Sequence, residues 1–182
     1  MFGPYQVTEE LFLSPVGAVA RATRMGDDEG VYVIKRFNPP VDDPSEPHWD
    51  HAIFLDRARA QQQLVAGGAQ YWVPVYQVGV SDSGAWFATD YLPLSAQKLI
   101  DGKVEIKSAA LYSIVSSIVT GLTELRTARN RAHGNLKPSN VLFAGTDLST
   151  ARVLLSDLGS ETCSGFNDVN ASSGSLRIPR RH

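Results

Sequence analysis

Five polar positions in this sequence could act together on a chain of phosphates. Lys35 ends the run Tyr32-Val33-Ile34-Lys35. Asn135, Lys137 and Asn140 fall within His133-Gly134-Asn135-Leu136-Lys137-Pro138-Ser139-Asn140. Asp157 opens the triplet Asp157-Leu158-Gly159. Ammonium groups neutralise phosphate oxygens, and carboxylate and amide oxygens are hard donors that suit magnesium. Moving a phosphoryl group is mostly positioning and charge stabilisation. It needs a cover over the phosphates, a cation beside them, oxygen ligands for a metal and a base for the attacking hydroxyl.

The first half of the chain supplies short runs that can hold such groups on a sheet. Glu10 to Leu13, Ala18 to Thr23 and Val31 to Phe37 read as strands, with a hairpin turn at Gly26-Asp27-Asp28-Glu29-Gly30. The four prolines between Asn38 and Pro47 make a loop. Trp49 to Ala66 carries apolar residues at helical spacing without glycine or proline, and Gly67-Gly68 ends it. Val73 to Val80 and Ala85 to Leu92 read as two more strands joined by Ser81-Asp82-Ser83-Gly84. The expectation is five strands with one helix after the third.

After Pro93 the period lengthens. Leu111, Ile114, Val115, Ile118, Val119, Leu122 and Leu125 recur at three and four residues and predict an amphipathic helix over 110–126. Val141 to Phe143 and Arg152 to Ser156 are short strand candidates around a polar turn. From Ser160 the chain is rich in Ser, Gly, Asn and Thr, and a disordered tail is expected over 161–182.

Taken together these motifs resemble the protein kinase-like superfamily, of the Ser/Thr protein kinase type. Tyr32-Val33-Ile34-Lys35 is similar to the third-strand motif whose lysine contacts the nucleotide phosphates, and Lys35 lies 18 residues after Gly17. Gly17-Ala18-Val19 fits the end of the glycine-rich loop. Phe12 and Ser14 stand where the family has the other two glycines, and with Pro15 and Val16 they make a stiffer, bulkier loop. The run from His133 to Asn140 resembles the catalytic loop. There the family has an aspartate that accepts the substrate proton, and this chain has Asn135, a neutral amide without useful basicity. The resemblance puts Lys137 on the transferred phosphate and makes Asn140 and Asp157 the magnesium ligands. It puts Thr89 at the back of the adenine pocket and Asp90-Tyr91-Leu92 at the hinge, whose backbone bonds adenine. The family pairs its strand lysine with a glutamate on the following helix. Here Arg57 falls at that position, and the neighbouring Asp56 would point elsewhere.

The resemblance implies an α+β, two-lobed fold: a five-stranded antiparallel N-lobe sheet with one helix over 1–92, and a partial helical C-lobe over 93–160. It ends near residue 160, before the activation segment and the helices that complete the larger lobe. Either the chain is a piece of a longer protein, or the fold is cut short and something covers the apolar face of the 110–126 helix. A missing C-terminal region and a protein partner are both candidates for that cover.

Composition narrows the classes further. A formal net charge of −2 argues against a dedicated binder of nucleic acid or anionic membrane. The single cysteine, Cys163, excludes an internal disulfide and fits a reducing, cytoplasmic setting. No apolar run approaches a membrane span, and the N-terminus lacks a signal-peptide pattern. His48-Trp49-Asp50-His51 reads as a helix start rather than a metal site. Asn170-Ala171-Ser172 matches a glycosylation acceptor only in form, and Arg177 to His182 reads as a solvated tail. The functional expectation is a pseudokinase: an ATP- and Mg2+-capable or protein-interaction module with little or no transfer. A weakly active or atypical Ser/Thr kinase is the alternative. A small-molecule phosphotransferase, which shares His133-Gly134, and a remnant without activity are further ones.

Overall fold

The structure is a computed structural model that describes residues 2–14, 17–37 and 51–159. The expectations for Pro15 and Val16, the 38–47 loop, His48 to Asp50, the tail, Cys163, Asn170 and Arg177 to His182 lie outside the described residues.

Five antiparallel strands form the first sheet: β1 (Tyr5–Ser14), β2 (Gly17–Arg24), β3 (Asp27–Phe37), β4 (Val75–Ser81) and β5 (Gly84–Asp90), in the order β1-β2-β3-β5-β4. The helix α1 (His51–Ala66) follows the third strand, as the pattern predicts. The first strand is longer than its apolar stretch implies. It is an edge strand, mostly exposed, and irregular in register between Val7 and Glu9 and between Glu10 and Phe12. Pairing to β2 defines it, so apolar alternation does not. The hairpin turn is also tighter than expected. Arg24 pairs with Asp27, leaving Met25 and Gly26 at the turn, and Gly26 takes φ +82°.

Strand alternation gives this sheet two faces. Tyr32 and Ile34 pack with Tyr5, Ala22, Trp86 and Ala88 on one. Phe87 and Val75 pack with Ala58 of α1 on the other, with Phe54 against them. Lys35 belongs to this second face, because it alternates with Ile34.

The described residues after β5 form a smaller unit. Leu94–Ser95 (β6), Val141–Ala144 (β7) and Arg152–Leu155 (β8) make a three-stranded sheet. The short helix α2 (Ala96–Asp101) was not legible in the sequence; Ser95 caps it, its Oγ accepting from Lys98 N at 3.3 Å. The long helix α3 (Ser108–Arg129) contains the expected amphipathic stretch. Ile114, Gly121 and Leu125 are its buried positions.

The largest core joins both parts of the chain. Leu64 and Trp72 pack with Ile114, Leu125, Phe143, Val153, Leu155 and Leu158. Main-chain bonds run from Val73 N to Leu155 O and from Leu155 N to Tyr71 O, each 2.9 Å. Trp72 is 1% exposed and donates Nε1–H to Gly121 O at 3.0 Å. A Cβ on Gly121 would stand 3.1 Å from Tyr71 Cβ, so glycine lets α3 approach this segment.

The outer face of α3 is different. Leu111, Tyr112, Val115 and Val119 are all exposed. By length and composition alone α3 could also cross a membrane, which the sequence reading did not foresee. Its serines and threonines break the apolar run without adding charge.

Candidate functional site

Between the first sheet and the loops after α3 lies a cleft of about 360 Å³. It collects residues far apart in sequence: Gly17 and Val19 from β2, Lys35 from β3, Arg57 from α1, and Asn135, Lys137, Asn140 and Asp157 from the second unit. Pairing explains the upper wall. Val19 stands opposite Lys35 in the register, so both share a face. Gly17 lies against β3, where a Cβ would come within 2.8 Å of Arg36 O. Arg36 also borders the cleft, but alternation sends its side chain with Ile34 to the opposite face.

Lys35 Nζ donates to Asp157 Oδ2 at 2.5 Å, an ion pair across 122 residues of chain. The two side chains are 21% and 23% exposed. Asp157 has φ +58°, a left-handed conformation in which aspartate is among the more tolerant residues. Ser156 Oγ donates to the same carboxylate oxygen at 3.3 Å.

The lower wall is held by main-chain bonds. Asn140 Nδ2 donates to Asn135 O at 2.8 Å, leaving Oδ1 as the atom that could face an ion. Asn135 Nδ2 donates to Asp157 O at 3.1 Å, so its amide is tied to the loop it faces. Gly159 N donates to His133 O at 2.7 Å. A Cβ on Gly159 would come within 2.4 Å of Gly134 C, so only glycine allows the two loops to meet.

His133 sits beneath this wall rather than in it. It is 3% exposed, stacks on Trp72 with ring centroids 5.2 Å apart, and its Nδ1 accepts from Asn135 N at 3.3 Å. Burial, opposed by the nearby Asp157 charge, pushes its pKa below the ordinary histidine value. It therefore serves as a neutral support for the loop.

Thr89 and Tyr91 do not line this cleft. Thr89 is buried at the end of β5, paired with Val33 and Val75. Tyr91 N donates to Val31 O at 3.1 Å. The Tyr91 hydroxyl accepts from Arg21 Nη2 at 2.7 Å, the guanidinium lies 4.3 Å from the ring centroid, and Arg21 Nη1 pairs with Glu9 at 2.9 Å. The sequence reading missed this Arg21–Tyr91 contact, which no local pattern announces.

Arg57 borders the cleft and has other contacts as well, while the exposed Asp56 pairs with Arg59 at 3.3 Å. Phe54, Ala58 and Gln61 border it too, on the same face of α1. Their spacing of three and four residues around Arg57 was the available signal. Gln61 is 2% exposed and donates Nε2–H to Val73 O at 2.8 Å, which fixes α1 to the joining segment.

The donor set suits magnesium in kind: the Asp157 carboxylate and the Asn140 amide oxygen, to be completed by phosphate oxygens. It is thin, because Asp157 is the one carboxylate among the described residues of the lining and Lys35 already holds it. No cluster of three or more His, Cys, Asp or Glu side chains able to hold a metal occurs among the described residues.

No family model matches the sequence, and no curated protein matches it. The fold does match solved structures. Crystal structures of the Mycobacterium tuberculosis PknI kinase domain are similar to it. A single mutant of that domain shares 23% identity at a TM-score of 0.62, over 88% of this chain and 61% of that one. The unmutated domain shares 22% at 0.61, over 88% and 60%. A double mutant shares 23% at 0.62, over 87% and 62%. The chain thus has a protein kinase-like fold, and it spans about three fifths of the length of these domains. The expected five-stranded sheet with one helix, followed by a partial helical unit, is borne out at the level of fold.

Proposed function

We propose that the chain is a pseudokinase-type module that binds a nucleoside triphosphate in this cleft and performs little or no phosphoryl transfer. The observation that carries this reading is the state of Asn135. It occupies the position where the fold family has its base, and its amide is committed to Asp157 O. No carboxylate other than Asp157 borders the cleft among the described residues, and Asp157 is paired with Lys35. A hydroxyl bound there would meet, among the described residues of the lining, no unpaired carboxylate to take its proton.

Lys35 and Lys137 support the binding half of the reading, since both line the cleft and would sit against phosphates. Asn140 and Asp157 would hold magnesium if it accompanies the nucleotide, and the ion would then neutralise charge on the phosphates. A protein partner covering the outer face of α3 and a cytoplasmic setting belong to the same reading. The net charge of −2 argues against nucleic acid or an anionic membrane as that partner.

The test is a calorimetric titration of ATP into the chain and into Lys35→Ala and Lys137→Ala, followed by a transfer assay. The expected result is saturable binding, weakened about tenfold or more by each substitution. Transfer should stay at background, and Asn135→Asp alone should not make it brisk. Absence of binding by folded protein would overturn the proposal. Phosphorylation that disappears in Lys35→Ala would establish the alternative, a weakly active Ser/Thr kinase. That alternative is favoured by the convergence of Lys35, Lys137, Asn140 and Asp157 on one cleft.

A further inference from the structure

Building on the nucleotide-binding reading, we infer that the cleft takes its ligand by the triphosphate chain and does not read the base. The ligand class is then a linear triphosphate, whatever nucleoside it carries. The kinase pattern puts the base beside Thr89 and against Asp90-Tyr91-Leu92. On the sheet, that place is the row centred on Val33, two residues before Lys35 on the same face. Val33 pairs with Arg21 on one side and with Thr89 on the other. Val33 is 7% exposed and Thr89 4%, so little of this wall is open to a planar ring. Val33, Thr89 and Tyr91 are all absent from the lining of the cleft around Lys35 and Lys137.

Arg21 closes the row from the β2 side. Strand alternation puts it on the same face as Val19, which stands opposite Lys35. Its guanidinium lies 4.3 Å from the centroid of the Tyr91 ring. Nη2 donates to the Tyr91 hydroxyl at 2.7 Å, and Nη1 pairs with Glu9 at 2.9 Å. The planar group stacked at this end of the sheet is thus the protein's own. A ring entering beside Val33 would have to move it off the ring, the hydroxyl and the carboxylate together.

Polar groups nearby are engaged as well. Tyr91 N donates to Val31 O at 3.1 Å, and Asp90 O accepts from Thr89 Oγ1 at 3.3 Å. A site discriminates between similar ligands through polar groups that the wrong one leaves unpaired. Groups already paired within the chain make no such demand. Phosphates meet a different surface, because Lys35 and Lys137 line the cleft. Charge-assisted hydrogen bonds from ammonium groups to phosphate oxygens do not depend on what the phosphates carry.

Calorimetry would compare ATP, GTP and inorganic triphosphate at one magnesium concentration. The proteins are the parent chain, Lys35→Ala, Arg21→Ala and Tyr91→Ala, with circular dichroism as the control for folding. The last two open the contact from opposite sides, so either one serves if the other does not fold, and the parent comparison stands without them. The parent should bind all three ligands within about fivefold of one another, and Lys35→Ala should weaken all three by a similar factor. Arg21→Ala or Tyr91→Ala should shift the affinity ratio of ATP to inorganic triphosphate towards ATP by about fivefold or more.

A preference of the parent above about fivefold for one nucleotide over the other two ligands would overturn the inference. It would leave the nucleotide-binding proposal standing. An unchanged ratio in a folded variant would overturn the role given to the Arg21–Tyr91 contact. Binding of inorganic triphosphate but of neither nucleotide would overturn the nucleotide-binding proposal and keep the triphosphate class. Failure of the folded parent chain to bind any of the three would overturn both.

Discussion

At the residue scale, His133 shows how a motif residue can matter without touching a ligand. It stacks on Trp72, accepts from Asn135 N and is almost wholly buried. Burial holds its folded-state pKa below the ordinary value. The unfolded chain then binds the proton more readily, so the stability associated with neutral His133 is present above the unfolded pKa of about 6.5 and is lost as pH falls towards the lower folded value. Thermal melts of the chain should therefore fall between pH 7 and the acid side of that range, and His133→Gln should flatten the slope. An unchanged slope in the variant would assign the effect to other groups. The sequence placed His133 at the head of the run that ends at Asn140. Its stacking partner was not readable, since Trp72 lies in a different segment.

At the element scale, α3 has two faces with opposite consequences. Ile114, Gly121 and Leu125 face the core, and Leu125 has no exposed surface. Leu111, Val115 and Val119 form a ridge at four-residue spacing that is half exposed. Truncating a buried leucine removes transfer free energy and leaves a cavity, so Leu125→Ala should cost about 2–5 kcal/mol in urea unfolding. Val115→Ala should stay within about 0.5 kcal/mol, because its side chain is already half in water. Equal losses at both positions would mean that the outer ridge is also packed in solution. The sequence period located this helix within three residues at each end. It could not separate the two faces, since Leu111, Val115 and Val119 repeat with the same spacing as the buried positions. The strands at 141–144 and 152–155 were legible for the opposite reason: each is a short β-branched or leucine-rich run bounded by polar turns.

At the scale of the whole molecule, the segment between α1 and β4 ties the first sheet to the second unit. Trp72 contributes its ring to the largest core and its indole N–H to Gly121, while the main chain on either side bonds to Leu155. Trp72→Ala should cost about 3–5 kcal/mol and should loosen both units together. Hydrogen exchange would read this as lost protection in α3 and β8 as well as near residue 72. Loss confined to the first sheet would show that the two units unfold separately. The Lys35–Asp157 pair spans the same junction, but it is a partly exposed ion pair and adds about 0–1 kcal/mol. Packing joins the units, and the ion pair sets the electrostatics of the cleft.

The sequence alone determined the types and order of the longer elements, β6 and α2 excepted, and the identity of the polar groups, because periodicity and short motifs are local properties of the chain. Its resemblance to the kinase pattern implied Asn135 in place of an acid and Arg57 in place of another. The tertiary structure decided which groups meet. Lys35 is held by Asp157 rather than by α1, Tyr91 is engaged by Arg21 rather than bordering the cleft, and one ridge of α3 faces outward. Each of these depends on residues tens of positions apart being brought within a few ångströms. That proximity is set by sheet pairing and core packing, which no local spacing encodes.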